Sequence, residues 1–167
     1  MSKINPKIMK KLYLLCLVTL LCAACTQQLP EASYDIIPLP KEVQLTEEKP
    51  FVLQQSTTVY YEEGLQREAE LLSEYMNDIM GYSLDLKEYQ DQPDGIVLKL
   101  NPEDFEHSEA YEITVVPNQI VVKGADAAGV FYGIQTLRKS LPITSHLSTP
   151  LRYYQRLARL RLPWHAP

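Results

Sequence analysis

The stretch EAYEITVVPNQIVVKGADAAGVFYGIQTLRKSLP, Glu109–Pro142, constrains the fold more than any other part of the chain. Two β-rich runs, Ala110–Val116 and Gln119–Gly124, are joined by a tight Pro117-Asn118 turn, which predicts a hairpin. Asp126 then stands before Ala127 as an N-cap. From there Ala127, Val130, Phe131, Ile134, Leu137 and Leu141 recur at helical spacing, so a helix is expected to about Ser140 with these residues facing inward.

The preceding residues extend the pattern. Ser56–Tyr61 reads as a strand, and from Gly64 to Gly81 the apolar residues Leu65, Ala69, Leu72, Met76 and Ile79 line one helical face, with Gly81 as terminator. Met76 and Met80 are expected to fill gaps in a core. Strand candidates Tyr82–Tyr89 and Gly95–Leu100 follow, while Tyr34–Leu45 is held extended by Pro38 and Pro40. Strand, helix, several strands, helix is the order of an α+β two-layer domain, expected over residues 34–142, with a mainly antiparallel sheet and both helices on one face. At 167 residues the chain supports one such core. A (β/α)8 barrel, which typically takes about 250 residues, is excluded.

The N-terminal residues have a different chemistry. Lys3, Lys7, Lys10 and Lys11 precede an apolar run from Leu12 to Ala24, the layout of an export signal over residues 1–24, with Met1 or Met9 as its start. The chain has three cysteines, Cys16, Cys22 and Cys25, all within this region. LCAAC, Leu21–Cys25, resembles the lipobox of bacterial lipoproteins, which implies lipidation of Cys25. Cys22 is the alternative, although Thr19, Leu20 and Leu21 make a poorer cleavage site. Each buried methylene of such an anchor contributes about 0.8 kcal/mol. An exported lipoprotein of the cell envelope is expected, held to a membrane by lipid, with residues 25–33 as a polar tether. Cleavage before Cys25 would leave no thiol pair in the folded part, so its core must hold unaided.

Catalytic chemistry requires convergent titratable groups, and the sequence supplies none at a recognisable spacing. His107, His146 and His165 are far apart and lack HExxH or cysteine partners, so no metal is expected. Phosphate-binding and dinucleotide glycine motifs are missing, so no cofactor is expected. The net charge of −5 gives no reason to expect nucleic acid. Glu47-Glu48, Glu62-Glu63 and Glu103-Asp104 read as solvated pairs. Gly129 and Gly133, spaced as GxxxG, read as a place where a helix approaches the sheet. The tyrosines could stack on a sugar, but most alternate with polar residues as strand tyrosines do.

IIPLPKEV, Ile36–Val43, and Ala110–Pro142 with its GVFYGIQTL core together resemble the opening domain of bacterial family 20 glycoside hydrolases, the β-N-acetylhexosaminidases. Related domains precede family 84 and some α-glucuronidase barrels, but the proline-rich opening favours family 20. The resemblance implies an accessory domain docked on a (β/α)8 barrel. There an adjacent Asp-Glu pair assists attack by the substrate's own acetamido group on terminal β-linked N-acetylhexosamine. No position of this sequence matches that pair, so no catalytic residue is assigned, and the chain by itself is expected to be inactive. Glycan would be met only through the barrel.

Residues 143–167 do not resemble the first barrel strand of that family. Codons available to Tyr153–Pro167, read one base along, can spell such a strand, which suggests a shifted reading frame beginning between about Ser140 and Tyr153. The alternative is a basic amphipathic helix, RYYQRLARLRL, docking on anionic lipid or a partner. The competing functional class is a stand-alone glycan- or protein-binding surface lipoprotein.

Overall fold

A computed structural model of the chain describes residues 33, 36, 42–44, 49–89, 91, 93–141, 151–153 and 159–162. The export signal, the tether apart from Ser33, and Cys16, Cys22 and Cys25 lie outside the described residues. Strands β1 (Glu42–Gln44), β2 (Phe51–Leu53) and β3 (Thr58–Tyr61) precede helix α1 (Gln66–Met80). Strands β4 (Asp85–Glu88), β5 (Gly95–Leu100), β6 (Tyr111–Val116) and β7 (Gln119–Gly124) lead to helix α2 (Ala127–Ser140), followed by β8 (Leu151–Tyr153) and β9 (Arg159–Leu162).

The helices end where their sequences dictate. Gly81 takes a left-handed conformation at φ 76° and donates its N–H to the Asn77 carbonyl at 2.8 Å, closing α1. Ser73, inside that helix, donates its hydroxyl to the Leu84 carbonyl and accepts the Leu84 N–H, each at 3.0 Å. This pair fixes the chain's return toward β4. Asp126 caps α2 by accepting the Gly129 N–H at 2.8 Å.

Seven strands form one sheet in the order β1-β9-β6-β7-β5-β3-β4, and β2 pairs with β8 separately. The sheet is mixed, which corrects the expectation of a mainly antiparallel one. β6 and β7 form the predicted antiparallel hairpin, but β7-β5, β5-β3 and β3-β4 are all parallel. The physical reason is crossover. α1 carries the chain from β3 back over the sheet, so β4 emerges parallel to β3. The segments 89–94 and 101–110 also carry the chain past a neighbouring strand instead of turning a hairpin.

Both helices cover the same face. Cross-strand rungs Val59–Ile96–Ile120–Val115 and Leu98–Val122–Ile113 are buried together with Leu65, Leu72 and Met76 of the α1 region and Val130, Ile134 and Leu137 of α2. Met76 and Met80 lie in this core, at 0% and 2% exposure. Two glycines let α2 approach the sheet. A Cβ on Gly129 would stand 2.3 Å from the Ala110 carbonyl oxygen, and one on Gly133 would stand 2.5 Å from Val122 Cγ1. The opposite face carries Lys99, Lys123 and Glu112 on one rung.

Candidate functional site

The titratable groups singled out by sequence do not converge. His107 is exposed, whereas His146, His165, Glu47 and Glu48 lie outside the described residues. Glu62 is not merely solvated, since its Oε2 accepts the Leu100 N–H at 2.8 Å and ties the end of β3 to β5. Glu63 beside it is exposed. Asp104, next to exposed Glu103, forms an ion pair with Lys123 at 2.8 Å. Among the described residues no group of histidine, cysteine, aspartate and glutamate has a metal-binding arrangement. No described helix is long and apolar enough to cross a membrane.

The surface that stands out lies on the outside of the helix layer. A groove of about 640 Å³ runs between α1 and α2, lined by Leu71, Ala128 and Phe131 with Arg67, Glu70 and Glu74 at its sides. Phe131 is 36% exposed, against the expectation that it faces inward. Its position explains this: it follows the buried Val130 by about 100° around the helix, so only one of the two can point at the sheet. Its ring instead meets Tyr132 edge-on, with centroids 5.4 Å apart.

Beside the groove the two helices are locked together by polar contacts. Gln135 Nε2 donates to the Tyr75 hydroxyl at 2.9 Å, and the Arg138 guanidinium sits 4.4 Å from the centre of the Tyr75 ring. An apolar patch of Phe131 and Leu71, rimmed by charge and set on two mutually braced helices, suits the docking of a protein surface. It offers no enclosed acid and base for chemistry. On the far side of the sheet Lys99 donates to the Tyr89 hydroxyl at 2.7 Å with its ammonium 4.1 Å from the ring centre, and Lys123 pairs with Asp104. That face is predominantly charged along this rung.

A mixed sheet backed on one face by two helices, with no barrel among the described residues, defines an accessory α+β domain of the kind found in glycoside hydrolases. Residues 33–151 match glycosyl hydrolase family 20, domain 2, and the chain belongs to that family. Solved structures share its fold. The family 20 β-N-acetylhexosaminidase of Streptomyces coelicolor A3(2) is 22% identical with a TM-score of 0.63, over 75% of this chain and 26% of that one. An exo-β-N-acetylglucosaminidase of Vibrio harveyi, solved with N-acetylglucosamine, is 18% identical with a TM-score of 0.58, over 83% of this chain and 20% of its own. The β-N-acetylhexosaminidase of Bacteroides fragilis NCTC 9343 is 20% identical, with a TM-score of 0.53 over 75% and 24%. This chain therefore spans about a quarter or less of the enzymes it resembles. No curated protein matches it.

Proposed function

We propose that this chain supplies the accessory domain of a β-N-acetylhexosaminidase, and that the outer surface of its helix layer is where a catalytic barrel docks. The family match over residues 33–151 carries this reading. Support for the helix side comes from the contrast between the exposed Phe131 and the charged rung on the other face of the sheet. In the complete enzyme the barrel removes terminal β-linked N-acetylhexosamine from glycans by substrate-assisted hydrolysis. The accessory domain contributes a rigid wall to that barrel, not reacting groups.

The sequence bears on catalysis directly. None of its aspartates is followed by a glutamate, so the adjacent pair that the family's chemistry uses is missing from these 167 residues. The chain by itself is accordingly inactive. The experiment is an assay of the purified 167-residue chain with a chromogenic N-acetylglucosaminide. No turnover above buffer is expected, and hydrolysis abolished by a family-specific inhibitor would sink this reading. The same protein is attached to the cell envelope through lipid on Cys25. Palmitate incorporation during expression is expected to persist in Cys22→Ser and to vanish in Cys25→Ser, and the reverse pattern would move the anchor to Cys22.

A further inference from the structure

A second cleft, of about 780 Å³, opens at the end of the domain where α1 stops and β3 and β4 begin. Gln54, Gln55 and Ser56, which follow β2, form one wall, and Met80, Gly81, Tyr82, Ser83 and Asp85 form the other. The sheet brings the two together, because β3 and β4 run parallel with Thr58 paired to Asp85. The volume falls in the range of small-molecule clefts, about 300–1,000 Å³.

Both walls are held by their own hydrogen bonds. On one side Thr57 donates its N–H to the Gln54 carbonyl at 2.8 Å, and its hydroxyl oxygen accepts the Gln54 N–H at 3.0 Å. Thr57 is buried, so this closed turn displays Gln55 and Ser56. On the other side the Ser73 hydroxyl holds both backbone polar groups of Leu84, and the Gly81 N–H is fixed to the Asn77 carbonyl. A Cβ added to Gly81 would meet nothing within 4 Å, so the space above this glycine is open. Tyr82 donates its hydroxyl to Met80 Sδ at 3.3 Å, and its half-buried ring both packs on the core and lines the cleft. Walls fixed in this way need little ordering when a ligand arrives.

The chemistry of the lining selects among ligand classes. No lysine, arginine or histidine is found among the described residues that line the cleft, so an anion would meet the Asp85 carboxylate without a counter-charge. Asp85 is also the one carboxylate among them, and it belongs to no metal-binding group of the described residues. A wholly apolar ligand would strip water from Gln54, Gln55, Ser56 and Ser83, all exposed, and replace none of its hydrogen bonds. A neutral ligand dense in hydroxyls meets every group present. Its hydroxyls donate to Asp85 and the amide oxygens and accept from the amide N–H groups, while the carbon-hydrogen face of a sugar ring covers the Tyr82 ring. We infer that this cleft is a binding site for a neutral saccharide, with Tyr82 as its stacking surface and Gln54, Gln55, Ser56, Ser83 and Asp85 as its hydrogen-bonding rim. The site shares no lining residue with the groove that contains Phe131, and it does not depend on the catalytic parentage proposed above.

Amide chemical shifts of the isotopically labelled 167-residue chain, followed during titration with chitotriose and with cellotriose, test it. Saturable shifts confined to residues 54–57 and 81–85 are expected with at least one of these neutral trisaccharides, with a dissociation constant of about 1 mM. Sulfated cellotriose is expected to bind at least about fivefold more weakly than the better neutral sugar, because Asp85 opposes it. Gln55→Ala, on the exposed turn, and Tyr82→Leu are each expected to weaken binding about fivefold. Tyr82→Phe should stay within about twofold, since the ring remains and its hydroxyl is turned to Met80. No saturable shift in these residues with either neutral sugar at about 20 mM would overturn the site. Equal or tighter binding of the sulfated sugar would overturn the neutral class. Unchanged affinity in both Gln55→Ala and Tyr82→Leu would overturn the assigned roles, and shifts at Ala127, Ala128 and Phe131 instead would move the saccharide to the other groove.

Discussion

Tyr111 shows how one residue binds the two layers of this domain. It is 2% exposed at the start of β6, and its hydroxyl hydrogen-bonds the Thr136 hydroxyl inside α2. Its ring also lies close under Gly133, where a Cβ would stand 3.3 Å from Tyr111 Cδ2. Burial pushes the Tyr111 phenol up from 10.0 to about 12, with the bond to Thr136 pulling slightly the other way. The phenol is protonated in both folded and unfolded chains below pH 10 and ionises first in the unfolded one. Its contribution is therefore complete below pH 10 and is lost as pH rises toward about 12, by roughly 3 kcal/mol at most. Tyr111→Phe is expected to cost about 1–2 kcal/mol at neutral pH, since Thr136 loses its partner in a buried place. The variant should also show a shallower decline of stability between pH 10 and 12 in urea titrations. A residual slope is expected from Tyr82, whose phenol burial also raises. An alkaline decline as steep as in the unaltered chain would assign the effect to other groups.

The elements differ in how far local sequence determined them, and α2 is the clearest. Its start is fixed by Asp126, which accepts the Gly129 N–H through Oδ1 and the Glu109 N–H, at 3.0 Å, through Oδ2. Glu109 has φ 62°, so the cap also holds a strained residue in the loop before β6. Asp126→Ala is expected to lose about 2 kcal/mol, because a helix cap and a loop anchor go together, and Asp126→Asn roughly half of that. Equal thermal midpoints for the two variants would show that the second acceptor oxygen is unimportant. The hairpin and α2 were legible because each is set by neighbours: a turn, a cap, a repeat of apolar residues. Gly95–Leu100 was legible as a strand but not as a parallel one, although its run of buried Ile96, Val97 and Leu98 is what a strand covered on both faces looks like. Parallel pairing depends on where α1 and the segments 89–94 and 101–110 deliver the chain, and no local residue pattern specifies that. β2, three residues long and paired with β8, carries too little pattern to be read at all. Phe131 was misplaced for a related reason. Apolar spacing alone does not separate the stripe that meets the sheet from a neighbouring residue left at the surface, as Phe131 is.

At the scale of the whole molecule, the two sides of the domain present different groups. The sheet face away from the helices carries Lys99 and Lys123, each already satisfied by Tyr89 or Asp104, and docking there would cost the burial of those charges. The outer helix surface presents Phe131 and Leu71, while Gln135, Tyr75 and Arg138 hold the two helices in a fixed relation. Rigid support matters because an aromatic anchor contributes most when little ordering is needed to bury it. Mixing the chain with a family 20 barrel stripped of its own accessory domain is therefore expected to give a complex measurable by calorimetry. Phe131→Asp should weaken that complex about thirtyfold or more, the range of a central aromatic hot spot, while shifting the thermal midpoint of the isolated domain by less than about 2 °C. Lys99→Glu, on the opposite face, should leave binding within about twofold of the unaltered chain. Loss of binding in Lys99→Glu with none in Phe131→Asp would place the contact on the sheet. The surface groove between α1 and α2 would then be an ordinary crease between helices.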